Sequence, residues 1–214
     1  MKYTNIIWDF NGTIIDDVDT GIRSVNTMLA ERGLQTIPDK DTYRRIFHFP
    51  IVEYYRDLGF DFDKEPYEVL APIWVELYLE NAKEAPLQPY VREAIDFFSA
   101  AGASQHVLSA SELSMLKSQL EGFDILHRFE SISGLDNIHA HSKSELARAW
   151  RAAHPDARVL VIGDTEHDYD TARLLCADCA LICGGHQTRE RLLECESAKV
   201  YDSLRDLCDF LSKQ

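Results

Sequence analysis

Basic side chains are scarce in this chain: 22 lysines and arginines stand against 36 aspartates and glutamates, a formal net charge of −14. That balance argues against nucleic acid or an anionic membrane surface as a partner, since both would be repelled. A phosphate ester is still admissible if a divalent cation stands between it and the protein. Long apolar runs are missing as well. Stretches such as Val159-Leu160-Val161-Ile162 fall far short of the roughly 20 residues of a membrane helix. Met1-Lys2-Tyr3 leads into a strand pattern rather than a secretory leader, so the expectation is a soluble, cytoplasmic protein. Cysteine is sparse and poorly spread for a disulfide framework: the five, Cys176, Cys179, Cys183, Cys195 and Cys208, all fall in the last fifth of the chain. An odd number without framework spacing fits reduced thiols. Cys176-Ala-Asp-Cys179 has no second pair, and since zinc ordinarily takes four ligands it reads as core packing. Repeats and low-complexity tracts are absent too.

What is present is a change of pattern along the chain. An apolar run, Ile6-Ile7-Trp8, opens it and is followed directly by Asp9-Phe10-Asn11-Gly12-Thr13. From Asp16 to Glu84 the periodicity is helical. Ile22, Val25, Met28 and Leu29 share a face that stops at Gly33; Asp39 caps a short segment broken at Pro50; Ile51 to Leu58 ends at Gly59; and Pro66 to Asn81 forms another helix. Pro86 to Pro89 reads as a return linker. Beyond Val91, strand and helix alternate: strands at Gln105–Leu108, Phe129–Ser133, Arg158–Ile162, Cys179–Ile182 and Lys199–Tyr201, with helices between them closing at Gly102 and Gly122. Alternation of this kind is the signature of a parallel sheet covered on both faces. The predicted architecture is therefore α/β, a doubly wound, Rossmann-like core of residues 1–15 and 87–214 with an all-helical cap, residues 16–86, inserted after the first strand.

Four polar residues fall at strand ends or just inside the following helix: Asp9, Ser109, Lys143 and Asp164. In a right-handed doubly wound sheet such positions converge on one edge, where these folds bind ligands. Each has a second reading. Asn11-Gly12 between apolar runs also suits a hairpin turn. Ser109 with Glu112, and Ser142 with Glu145, fit capping boxes, and Asp164 with Asp168 fits a helix start. Lys143 resists such a reading, because a lysine in the first turn of a helix opposes the dipole unless an anion lies nearby.

Together these residues resemble the haloacid dehalogenase superfamily over almost the whole chain. Asp9 to Thr13 is similar to its first motif, Ser109 to its second, Lys143 to its third, and Gly163-Asp164-Thr165-Glu166-His167-Asp168 to its fourth. The helical insert resembles the cap of the branch that includes phosphoglycolate phosphatases and β-phosphoglucomutase. The resemblance implies that Asp9 attacks phosphorus to form an aspartyl-phosphate. Mg2+ would be held by Asp9, the main-chain carbonyl of Asn11, Asp164 and Asp168. Gly12, Thr13, Ser109, Ala110 and Lys143 would bind the phosphoryl group. Arg44, Arg45 and His48 would read the rest of a small-molecule phosphate ester, in a monomer or homodimer. Asp16, where the family enters its cap, would be structural.

Asn11 departs from the family's phosphatases, which usually carry an acid-base Asp there. An amide moves no proton, so about 10²- to 10⁴-fold of rate is at stake. Three outcomes stay open: a preference for good leaving groups such as acyl or aryl phosphates, a proton supplied by another group such as His48, or deamidation of Asn11-Gly12. A weakened phosphate-ester sensor, or a dehalogenase or phosphonatase with Lys40, Lys64 or Lys83 as the amine, are the rival readings. His139-Ala140-His141 supplies two ligands where a catalytic zinc takes three.

Overall fold

The computed structural model describes residues 2–135 and 143–213. Six strands, β1 (Asn5–Trp8), β2 (Ser104–Glu112), β3 (Ser131–Leu135), β4 (Val159–Gly163), β5 (Asp178–Ile182) and β6 (Ala198–Tyr201), form one sheet in the order β3-β2-β1-β4-β5-β6. Every pairing is parallel. The order reverses beside β1, which puts a switch point, and hence a crevice, at the carboxyl ends of β1 and its neighbours.

Side chains alternate across a strand, and the core divides accordingly. Ile6, Trp8, Leu160, Ile162, Ala180 and Ile182 join one apolar cluster, with Ile95 and Phe98 of α5 (Val91–Ala100), Leu116 and Leu120 of α6 (Leu113–Gly122) and Leu207 and Leu211 of α10 (Leu204–Leu211). Ile7, Val161, Cys179 and Leu181 join the other, with Ala147 and Trp150 of α7 (Lys143–Ala153), Ala172 of α8 (Glu166–Leu174) and Leu192 of α9 (Arg189–Leu193). The continuous apolar runs of β1, β4 and β5 follow from this, because strands buried on both faces need no polar alternation.

Between β1 and β2 lie α1 (Val18–Glu31), α2 (Lys40–Ile46), α3 (Ile51–Asp57) and α4 (Tyr67–Asn81). They gather an apolar cluster of their own around Val25, Met28, Leu29, Tyr54, Tyr55 and Leu70. The chain leaves and rejoins the sheet at one place: Asp16 N donates to Pro86 O at 2.9 Å, Gln88 N donates to Ile14 O at 2.8 Å, and Ile15 bridges Leu87. Among the described residues, no helix is long and apolar enough to cross a membrane.

Several expectations are corrected in detail. β3 begins at Ser131 rather than Phe129, because Leu126–Arg128 closes a 3₁₀ turn first. β2 continues past Ser109 to Glu112 through a register shift, so Ser109 caps nothing. Glu112 is itself the cap of α6, accepting from Ser114 N and Met115 N at 2.9 Å each. Gly122 ends α6 without a left-handed turn, and Asp124 takes that conformation at φ 54°. The cysteines are free, and while Cys179, Cys195 and Cys208 are buried, Cys176 is exposed at a left-handed turn rather than packed. Ser142 and the His139/His141 pair lie outside the described residues.

Candidate active site

Asp9 extends the pairing of β1 with β4 by one residue, its N donating to Ile162 O at 2.9 Å, and the residue is 8% exposed. Residues 9–13 do not form a hairpin: after Gly12, at φ +72°, the chain turns back so that Ile15 bridges Asn11 and Leu87, and α1 begins at Val18. Asp164 follows β4, and Lys143 opens α7 after β3. The Lys143 ammonium, on a side chain 4% exposed, donates to both Asp9 and Asp168, which supply the anions its position on the helix requires. Asp168 has a second task, since its Oδ2 accepts from Thr165 N at 3.0 Å, Thr165 Oγ1 at 2.8 Å and Asp164 N at 3.1 Å, capping α8. The helix is thus capped by Thr165 and Asp168 rather than by Asp164, whose carboxylate is left to face Asp9.

Asp9, Asp164 and Asp168 are buried with one carboxylate oxygen each lying within 4.8 Å of the others. Burial raises Asp9 well above the usual carboxylate range, Asp168 and Asp164 add to the rise, and Lys143 offsets only part of it. Burial likewise pushes Asp164 up to about 6. Asp168 is held below its ordinary value because Lys143 outweighs the effect of burial. Three carboxylates sharing one ammonium carry excess negative charge on hard oxygen donors, which fits a divalent cation. Close approach is secured by glycine. A Cβ at Gly12 would stand 2.2 Å, and one at Gly185 2.1 Å, from Asp164 Oδ2. Thr13, expected at the phosphoryl group, instead donates through Oγ1 to Asp164 Oδ1 at 2.9 Å.

A second buried network, which the sequence pattern does not reveal, surrounds Asn11. Asn11 Nδ2 donates to Asp17 Oδ2 at 2.7 Å and to Tyr78 Oη at 2.8 Å, while its Oδ1 accepts from Ser111 Oγ at 2.8 Å. Asp17 also accepts from Gly12 N and Tyr78 Oη, each at 2.8 Å, and pairs with His186 Nε2 at 3.2 Å. Burial would lift Asp17, but His186, Asn11 and Tyr78 hold it low. Burial would lower His186, but Asp17, Asp164 and Asp9 raise it to about 9. His186 N in turn donates to Asp164 Oδ2 at 2.7 Å, joining the two networks. An aspartate just before a helix ordinarily caps it, yet Asp17 makes no capping bond to α1 and turns its carboxylate into this loop. The signal for His186 is Gly184-Gly185-His186 after β5, one more polar residue past a strand end.

These groups floor a cavity of about 320 Å³. Asp9, Asn11, Ser109, Ala110, Lys143 and Asp164 line it together with Asp17 and His186. Ser109 is buried, its Oγ accepting from Ser111 N at 3.0 Å. The three cap candidates are not brought there. Arg44 donates to Gly185 O at 2.8 Å and Gly184 O at 2.6 Å, bracing α2 against the loop after β5. Arg45 is exposed and reaches Thr42 Oγ1 at 3.2 Å, and His48 pairs with Asp57 at 3.0 Å. Lys40 and Lys64 pair with Asp19 and Asp61, and neither they nor Lys83 line the cavity.

Residues 6–182 match the family profile of haloacid dehalogenase-like hydrolases. The chain belongs to that family. Two phosphoglycolate phosphatases are among its relatives. The one from Pseudomonas syringae pv. tomato is 24% identical over 94% of this chain and 77% of its own length; that from Mesorhizobium japonicum is 28% identical over 81% and 79%. A haloacid dehalogenase-like hydrolase from Streptococcus pneumoniae superposes with a TM-score of 0.82 at 20% identity, over 98% of each chain, which supports the fold. The chain is thus a haloacid dehalogenase-type hydrolase of the phosphoglycolate phosphatase-like branch.

Proposed function

We propose that this hydrolase is a Mg2+-dependent phosphatase of small-molecule phosphate monoesters, working through an aspartyl-phosphate on Asp9. The observation that carries the reading is the buried Asp9 carboxylate on the cavity floor, bonded to Lys143 and clustered with Asp164 and Asp168. Asp9 would attack phosphorus in line, its carboxylate oxygen bonding to phosphorus as the alcohol oxygen leaves, and water would hydrolyse the resulting acyl phosphate to release phosphate and restore Asp9. Lys143 holds the Asp9 carboxylate in place and offsets the charge of an arriving phosphoryl group, while Ser109, with the backbone at Ala110, offers donors to its oxygens. Asp9, the Asn11 carbonyl and Asp164, with Asp168 beside them, would hold the cation. When bound, it supplies charge neutralisation at the phosphoryl oxygens. The helices of residues 16–86 act as a cap over this floor.

The test is magnesium-dependent phosphate release from a panel of esters, with Asp9→Asn in parallel and acid-quench trapping of the phosphorylated protein. Release that depends on the metal and vanishes with Asp9→Asn supports the proposal. A chain that binds esters and cleaves none is the sensor that Asn11, with its amide fully engaged by Asp17, Tyr78 and Ser111, keeps in view.

A further inference from the structure

The cavity has a polar floor and aromatic walls. Above the Asp9 cluster it is lined by Phe47, Tyr54, Tyr55, Tyr67, Trp74 and Val75, all from the helical insert. No arginine is among the described residues that line it. Its one lysine, Lys143, is bonded to Asp9 and Asp168, and His186 is paired with Asp17. Among the described residues no lysine or arginine lines the walls, and the His186 ring, 5.3 Å from that of Phe47, is taken up by Asp17, so a substrate carboxylate or second phosphate there would be buried without a lysine or arginine to pair with it.

Resting on the phosphatase reading above, we infer that the substrate is a phosphate monoester of an uncharged aromatic alcohol, with its ring held between the insert's aromatic side chains and its phosphate on the Asp9 floor. Trp74 and Tyr78 are already stacked at 4.9 Å, and Tyr43, Phe47 and Tyr54 pack edge to face or stacked, giving a preformed surface for a ring. The volume lies at the small end of ligand pockets, about 300 to 1,000 Å³, which suits a compact group. Tyr54, which lines the cavity, has a buried hydroxyl with no hydrogen-bond partner among the described residues, and a ring substituent oxygen reaching it would supply one.

The floor points the same way independently. Cleavage breaks the bond between phosphorus and the ester oxygen, and the electron pair leaves on that oxygen. With Asn11 in place of an acid, the oxygen must depart as an anion and collect its proton from water afterwards. A phenol ionises near pH 10, as tyrosine does, and so tolerates this far better than an alkyl alcohol.

The test is kcat/KM, with magnesium, for phenyl phosphate, 4-carboxyphenyl phosphate, cyclohexyl phosphate and 2-phosphoglycolate. The two aryl esters share a leaving group of similar quality and differ in charge at the wall. The expected result is phenyl phosphate ahead of 4-carboxyphenyl phosphate by about 100-fold, the cost of an unpaired buried charge. It should also lead cyclohexyl phosphate and phosphoglycolate. Val75→Arg, half-buried on α4, should narrow the gap between the aryl esters, and Trp74→Phe should retain the preference that Trp74→Ala weakens through KM. Equal or better turnover of the carboxylated esters overturns the aromatic assignment and leaves the phosphatase reading standing. Absence of metal-dependent release from all four, with wild type and Asp9→Asn alike, overturns the phosphatase reading and the assignment with it.

Discussion

Replacing Asn11 by Asp restores the family's usual residue on paper, and the structure says the change will be costly. The Asn11 amide donates to Asp17 Oδ2 at 2.7 Å, and Asp17 is 1% exposed. A carboxylate in its place loses a hydrogen bond to a charged acceptor, about 1.5 to 3 kcal/mol. It also sets two carboxylates nearly in contact, an interaction of about 6 kcal/mol at an effective dielectric of 20 if both ionise. The pair escapes part of that repulsion by keeping one proton, as carboxylate dyads do. The net destabilisation at pH 8 is then about 3 to 5 kcal/mol, comparable to leaving a buried charge uncompensated. For a chain of this size that lowers the melting temperature by about 6 to 20 °C. The sign of the pH dependence follows: the new carboxyl has a raised folded-state pKa, so its cost is full above that value and fades as pH falls toward about 4. Thermal melts of wild type and Asn11→Asp at pH 8 and pH 5 read both quantities, with phosphate release measured alongside. Identical melting at pH 8, or a gap that widens on acidification, would refute the role assigned to Asp17.

Three further outcomes are expected. Magnesium at 100 times its dissociation constant should stabilise wild type by about 2.7 kcal/mol in a thermal-shift assay, and Asp164→Asn should remove most of that gain. In the metal-free protein, Asp164, raised from 3.8 to about 6, destabilises the fold above pH 6, a cost absent below pH 4; stability should rise on acidification through that window, and magnesium affinity should fall. Gly185→Ala places a Cβ 2.1 Å from Asp164 Oδ2 and should cost about 1 to 3 kcal/mol in a denaturant melt while weakening metal binding; unchanged magnesium affinity would show that Asp164 is not crowded as described.

The sheet was legible because each of its signals is local. Ile6-Ile7-Trp8 and Val159 to Ile162 are buried on both faces, and continuous apolar runs announce that before any partner is known. Lys143 was legible for a related reason: an unfavourable charge on a helix start implies anions nearby, and Asp9 and Asp168 are those anions. The bends of β2 and the start of β3 were not, since the register shift between Leu108 and Glu112 depends on pairing with another strand. The contacts of Arg44 were hidden in the same way. A basic residue on a cap helix reads as a substrate contact, but its two acceptors, Gly184 O and Gly185 O, belong to a loop about 140 residues away.

The Asn11 network shows why a single departure from a motif is hard to weigh alone. Read singly, an amide at position 11 is a lost acid. In the fold it is the donor that lets a buried, ionised Asp17 sit beside the loop carrying Asp9, with Tyr78 from the insert and Ser111 from β2 completing its bonds. A carboxyl at position 11 would leave Asp17 frustrated, whereas the amide of Asn11 satisfies it, so the two positions must be read as a pair. The aromatic walls then follow as a third member of the same arrangement. A floor without a proton donor for the leaving oxygen favours esters that need none, and walls without a lysine or arginine favour groups that bring no charge. Tyr78 joins floor to wall, since its hydroxyl bonds Asp17 while its ring stacks on Trp74. Tyr78→Phe, which keeps the ring and removes the hydroxyl, should therefore disturb the Asn11 loop while leaving the stacked wall in place.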